Sequence, residues 1–301
     1  MKIVIFVIIL SLFLSGCDLD WSTFADRIPL PVMSDNNSIN ITSPIIKRVN
    51  YIHFGSWYID KLTQAKLRES TVKYTIQDVI QDFDLIAIQG IQDPYQKVIP
   101  ELLVGYDDYD YIISGQLGKD EPKEQFAFIY NTQIIRFIGK STYKDRDNLF
   151  ERDPFIGYFQ VGNYDFVMVQ LHIKETDATQ EIINIQKVYD FAENEFDDND
   201  IIILGNLNAD CSYYNTHELE DFKWVIDEFE DTTTTSNDCT YDRIIVGYDL
   251  YDNILSSGVY KLEKELSINN ELAFVVSSHY PVESILSIPN FIININETDI
   301  Q

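Results

Sequence analysis

Several short runs of this chain carry apolar side chains on both faces of an extended backbone, and this restricts the fold more than any other feature. Residues 85–91 (Leu-Ile-Ala-Ile-Gln-Gly-Ile) and 201–207 (Ile-Ile-Ile-Leu-Gly-Asn-Leu) are the clearest cases. Successive strand residues point to opposite faces, so a strand without a polar face needs cover above and below. Residues 45–54, 125–130, 166–173, 243–246 and 280–286 are also rich in Ile, Val, Phe and Tyr, and they read as strands between turn residues. Between them, residues 66–83 place Leu67, Val72, Ile76, Val79, Ile80 and Phe83 near helical spacing. Residues 178–196 do the same with Ile182, Ile185, Val188, Tyr189 and Ala192. Such alternation predicts an α/β layered fold with helices covering sheet faces; it does not give the strand order.

The N-terminus is of another kind. Met1-Lys2 precedes a run from residue 3 to 14 that is apolar except for Ser11, too short to cross a bilayer and suited to the core of a signal peptide. Leu14-Ser15-Gly16-Cys17 resembles the bacterial lipoprotein signal, in which cleavage leaves the cysteine to receive lipid. The expectation is an exported, membrane-anchored lipoprotein facing the periplasm or the outside, with a secreted protein cut at small residues as the alternative. Residues 1–16 are then the signal peptide, 17–43 a polar tether with Pro29 and Pro31, 44–288 one domain and 289–301 a C-terminal tail.

Composition excludes some functions. With 22 Lys+Arg against 49 Asp+Glu the formal charge is −27, yet 45% hydrophobic residues suffice for a sizeable core, so wholesale disorder is ruled out. An acidic chain does not hold polyanionic DNA by charge alone; contact needs local basic residues or bound cations. Three cysteines, Cys17, Cys211 and Cys239, are too few for a disulfide scaffold and are not spaced as a zinc site.

The chemistry-bearing residues cluster at strand ends. In chain order they are Val49-Asn50-Tyr51-Ile52-His53-Phe54-Gly55, Asp84-Leu85-Ile86-Ala87-Ile88-Gln89-Gly90-Ile91 and Lys123-Glu124-Gln125-Phe126. Val169-Gln170-Leu171-His172, Gly205-Asn206-Leu207-Asn208-Ala209-Asp210-Cys211-Ser212-Tyr213, Asp238-Cys239-Thr240-Tyr241-Asp242-Arg243-Ile244 and Ser277-Ser278-His279-Tyr280 follow. Over about residues 45–286 this series resembles the deoxyribonuclease I family of the endonuclease/exonuclease/phosphatase superfamily. The resemblance implies a four-layer α/β/β/α sandwich and a DNA phosphodiesterase in which Mg²⁺ or Ca²⁺, held by carboxylates, neutralises charge on the phosphate. Two imidazole/carboxylate pairs would then move protons.

Carried over by position, Glu124 pairs with His172 and Asp242 with His279, while Asn50 and Asn208 contact phosphate and metal, and Arg152 meets the phosphate backbone. The resemblance also makes Cys211 and Cys239 a disulfide and leaves Cys17 for lipid. At the three positions where the family has metal carboxylates stand Gly90, Asn206 and Ser278. Acids are lost from the metal shell and none from the proton-transfer pairs, which is not the pattern of random decay. The expectation is a catalytically impaired nuclease-type domain retained for a binding or structural role, with an unidentified protein as a candidate partner. The alternative is a weak or altered metal-dependent DNA endonuclease, in which Asn50, Asn206, Asn208 and Asp242 hold a cation such as Mn²⁺. His53 and His217 have no motif support, and the acidic runs read as solvated surface.

Overall fold

The structure, a computed structural model, describes residues 46–47, 51–214, 219, 221–288 and 293–294. All of them belong to the compact unit Pro44–Gln301. The signal segment, Cys17, the tether, Asn50, His217 and most of the C-terminal tail lie outside the described residues.

The first half of the chain forms β1 (Ile46–Lys47), β2 (Tyr51–Leu62), α1 (Ser70–Gln81), β3 (Leu85–Ile91), α2 (Val98–Leu102), β4 (Tyr109–Ile113), β5 (Gln125–Asn131) and β6 (Arg136–Thr142). Then come β7 (Phe155–Val161), β8 (Tyr164–His172), α3 (Ala178–Ile182), α4 (Ile185–Phe196), β9 (Ile201–Asn206), β10 (Phe222–Trp224) and β11 (Asp242–Gly247). The last are α5 (Tyr248–Tyr251), β12 (Ile254–Val259), α6 (Leu262–Glu265), α7 (Asn270–Val276), β13 (Val282–Ser287) and β14 (Ile293–Asn294). Two six-stranded sheets result, ordered β12-β13-β2-β3-β5-β4 and β10-β11-β9-β8-β7-β6, beside the short pair β1-β14. Among the named strands, β2 with β3 and β8 with β9 are the parallel neighbours, joined through α1 and through α3 and α4.

Three apolar clusters follow from strand alternation. Phe54, Leu85, Ala87, Phe126 and Phe128 of one sheet meet Phe166, Met168, Ile202, Leu204 and Ile244 of the other, forming the inner core. The opposite face of the first sheet (Trp57, Ile59, Ile86, Ile88, Ala127) is covered by Val72, Ile76, Val79 and Ile80 of α1 and by α2, α6 and α7. Val167, Val169, Ile201, Ile203 and Ile245 of the second sheet lie under Ile182, Ile185, Val188 and Ala192. Each such aliphatic side chain stabilises the fold by about 1.5–3 kcal/mol when fully buried, so the helices are held mainly by the stripe they bury. This is the four-layer α/β/β/α sandwich. Helix α4 ends where Asp197 turns left-handed at φ 53°.

Two elements differ from the sequence reading. The first long strand is not 45–54 but Tyr51–Leu62. Gly55 and Ser56 interrupt the apolar run without ending the strand. Glycine is needed at 55 because a Cβ there would stand 2.5 Å from Phe83 Cε1. The segment 178–196 is two helices, broken between Ile182 and Ile185.

Candidate active site

The chemistry-bearing side chains gather where the parallel strands end. His172 closes β8 and lies opposite Asn206, the last residue of β9, which in turn lies opposite Asp242, the first residue of β11. Three neighbouring strands thus present His172, Asn206 and Asp242 in a row. Across the sandwich, Tyr58 of β2 is paired with Gln89 of β3, and Glu124 immediately precedes β5. His279 enters from the loop before β13. Trp57 Nε1 donates to its carbonyl at 2.9 Å, and its own amide donates to Ser277 Oγ at 3.1 Å.

Both expected pairs form. His172 Nδ1 lies 2.7 Å from Glu124 Oε2, and His279 Nδ1 lies 2.6 Å from Asp242 Oδ2; all four side chains are buried. With Nδ1 donating to the carboxylate, each neutral ring leaves Nε2 as its working nitrogen. Arg152 donates to Glu124 Oε1 at 3.2 Å and to the His172 carbonyl at 3.3 Å, so it braces the first pair.

The two imidazoles are tuned in opposite directions. Burial depresses both. At His172 it prevails over the attraction of Glu124, and Arg152 adds to it, so the pKa falls below 6.5. At His279 burial is outweighed by the charge and hydrogen bond of Asp242, with Asp60 and Glu175 helping, and the pKa rises above 6.5. For Glu124, burial pushes the pKa up, but His172 and Arg152 overcome it and hold the carboxyl below its ordinary value. Opposite shifts separate the proton affinities of the two imidazoles, which suits His172 to act as a base and His279 as an acid.

The expected metal positions look different. Gly90 has φ +80°, and a Cβ built on it would stand 2.3 Å from the Ile59 carbonyl oxygen and 3.0 Å from Tyr58 Cε2. The β2–β3 ladder is irregular between Tyr58 and Leu62, so the backbone at this point is shaped for glycine. Asn206 Oδ1 accepts from the Asn208 amide at 3.0 Å, and Asn208 Nδ2 donates to the Ile173 carbonyl at 2.8 Å. Ser278 Oγ donates to Asp60 Oδ1 at 3.4 Å. Gln89 is turned to Ser56, 3.0 Å away. Asp242 Oδ1 is the one orphaned oxygen of the paired carboxylates, which falls short of a carboxylate-held cation site. Among the described residues, the one group of three His, Cys, Asp or Glu donors spaced for a common ion is Asp210, Cys211 and Cys239. Its sulfurs are joined in a disulfide, the pairing expected from the resemblance. Hence the residues present do not fit the family's divalent cations.

Two residues here had no sequence signal. Tyr58 packs against both imidazoles, with ring centroids 4.5 Å from His172 and 4.9 Å from His279. Asp60 accepts from the Ser278 amide at 2.9 Å. Both sit beyond the expected end of the first strand. Tyr51, which follows Asn50 in sequence, is paired with Ser287, seven strand positions or roughly 23 Å from Tyr58. His53 is structural: its ring stacks on Phe83 at 4.4 Å and lies 2.9 Å from Glu283 Oε2.

A four-layer sandwich with two imidazole/carboxylate pairs at one end defines a phosphoesterase-type architecture, and the chain belongs to the Endonuclease/Exonuclease/phosphatase family, whose model matches residues 66–265. Within that family it is deoxyribonuclease I-like. It is 30% identical over 254 residues to deoxyribonuclease gamma of Rattus norvegicus, covering 76% of this chain and 82% of the relative. It is 28% identical over 260 residues to deoxyribonuclease-1 of Bos taurus, covering 78% and 92%. The solved endonuclease/exonuclease/phosphatase from Bacteroides vulgatus shares the fold at TM-score 0.59 and 16% identity, covering 79% of this chain and 99% of that one.

Proposed function

We propose that this chain is an exported, catalytically impaired member of the deoxyribonuclease I-like group, retained for binding or a structural role. The observation that carries the reading is the state of positions 90, 206 and 278. One has no side chain and no room for one, and the other two turn their polar groups to the protein. The retained pairs still supply a base at His172 and an acid at His279. They do not neutralise the charge that builds on a phosphorus under attack. A bound cation contributes several kcal/mol to that step, so its loss lowers the rate by roughly a thousandfold or more.

The test is nicking of supercoiled plasmid by the purified domain across Mg²⁺, Ca²⁺ and Mn²⁺. Turnover at least about a thousandfold below an active relative is expected; a rate comparable to that relative would overturn the proposal. One observation favours a second reading, weak metal-dependent phosphodiesterase activity. Asp60 brings a carboxylate to Ser278, where the family's acid is missing. Under that reading, residual nicking requires a cation and disappears in both Asp60→Asn and His279→Ala.

A further inference from the structure

We infer that Tyr58 decides what the space between the two histidines admits, and that its ring closes this space to a phosphate group. The inference rests on the impaired-site reading above and extends it. A phosphate served by both imidazoles has to lie between their Nε2 atoms, because each Nδ1 is taken by a carboxylate. The half-buried Tyr58 ring is in contact distance of both imidazoles, tilted 50° to one and 78° to the other. The backbone that carries it is held: Ser277 Oγ donates to the Tyr58 carbonyl at 2.8 Å, and Tyr58 is paired with Gln89 in the sheet.

Gly90 adjoins this ring: a Cβ at 90 would start 3.0 Å from Tyr58 Cε2, but the Ile59 carbonyl oxygen, 2.3 Å away, and the φ of +80° already exclude a side chain there. A tetrahedral dianion needs hydrogen-bond donors within about 3 Å, and an aromatic face offers none. Tyr58 thus excludes phosphate by occupancy, whatever its hydroxyl does.

The test follows the imidazole resonances by NMR while the wild type, Tyr58→Phe and Tyr58→Ala are titrated with inorganic phosphate. The chain has only 4 histidines, which makes His172 and His279 assignable. Tyr58→Ala is expected to bind phosphate at least about tenfold more tightly than the wild type, with Tyr58→Phe unchanged. Equal affinity in all three, weaker binding in Tyr58→Ala, or a loss of affinity in Tyr58→Phe overturns the inference, the last because it would make the hydroxyl a phosphate donor. If Tyr58→Ala does not fold, the wild type decides alone: saturable shifts of His172 and His279 with an apparent Kd of about 1 mM or tighter overturn the inference. A wild type that is inactive but binds phosphate sinks this inference only; one that nicks DNA at a relative's rate sinks the reading beneath it.

Discussion

At the scale of single residues, the site is held together by groups that do no chemistry. Glu181 is the clearest. It is 2% exposed, and its Oε1 accepts from the Glu151 amide at 3.2 Å and the Lys174 amide at 3.3 Å, fastening the segments that carry Arg152 and His172. Its Oε2 has no partner among the described residues. Burial outweighs the two amides and the nearby Arg152, and the carboxyl is pushed up to about 7 from 4.5. The proton is therefore bound more tightly in the folded chain than in the unfolded one. The stability this contributes is full below pH 4.5 and is lost as pH rises through about 7. Glu181→Gln, which mimics the protonated form, should match the wild type at pH 4.5 and exceed it at pH 8 by on the order of 2 kcal/mol in urea unfolding. A variant that loses stability at pH 8 would show that the charged form is the one the fold needs.

At the scale of elements, the rim of the site depends on tying the loop after β9 to the approach of β11. Leu207 donates to the Tyr241 carbonyl at 2.9 Å, the Thr240 amide donates to Asp210 Oδ2 at 2.7 Å, and Cys211 is bonded to Cys239. The disulfide closes a 28-residue separation, for which chain-entropy arguments give about 3–4 kcal/mol. Cys211→Ser with Cys239→Ser should lose that much in denaturant unfolding; a loss under about 1 kcal/mol would mean the hydrogen bonds hold the loop unaided. Residue patterns made most of the buried elements legible, because a strand apolar on both faces has only one kind of place to go; the buried β7 was missed, its apolar run being broken by Gly157 and Gln160. Residues 85–91 form a strand with the bounds read from the sequence. The half-exposed β6 and β12 carry no such signature and escaped notice. The two imidazole pairs were legible from motifs alone. Tyr58 and Asp60 were not, because Gly55-Ser56 resembles a strand end until Phe83 is seen lying over Gly55. That position 90 carries no acid was visible as a residue type, but the backbone that excludes any side chain there was not.

At the scale of the whole molecule, the charge of −27 bears on what the site mouth is able to attract. DNA binders of this size hold phosphates with free Lys and Arg, and affinity then falls steeply with salt. Here several basic residues around the site are committed to acids. Lys174 lies 2.7 Å from Asp120 and 3.8 Å from Glu151, Lys119 lies 3.6 Å from Asp145, and Arg152 is bonded to Glu124. Lys66, beside the site, lies 3.7 Å from Asp60. Freeing any of them for a phosphate would deprive a carboxylate of its cation, at Glu124 and Asp60 beside the reactive histidines, and the surrounding acidity would repel the same phosphate. Under the impaired-site proposal no bound cation offsets this repulsion. The expected result in fluorescence anisotropy with a labelled duplex is a Kd weaker than about 10⁻⁴ M at both 50 and 200 mM salt, with little slope between them. Tight binding at low salt that falls by about a thousandfold across that range would mean that several lysines and arginines leave their carboxylates for the phosphates, and that the acidity is no barrier to DNA.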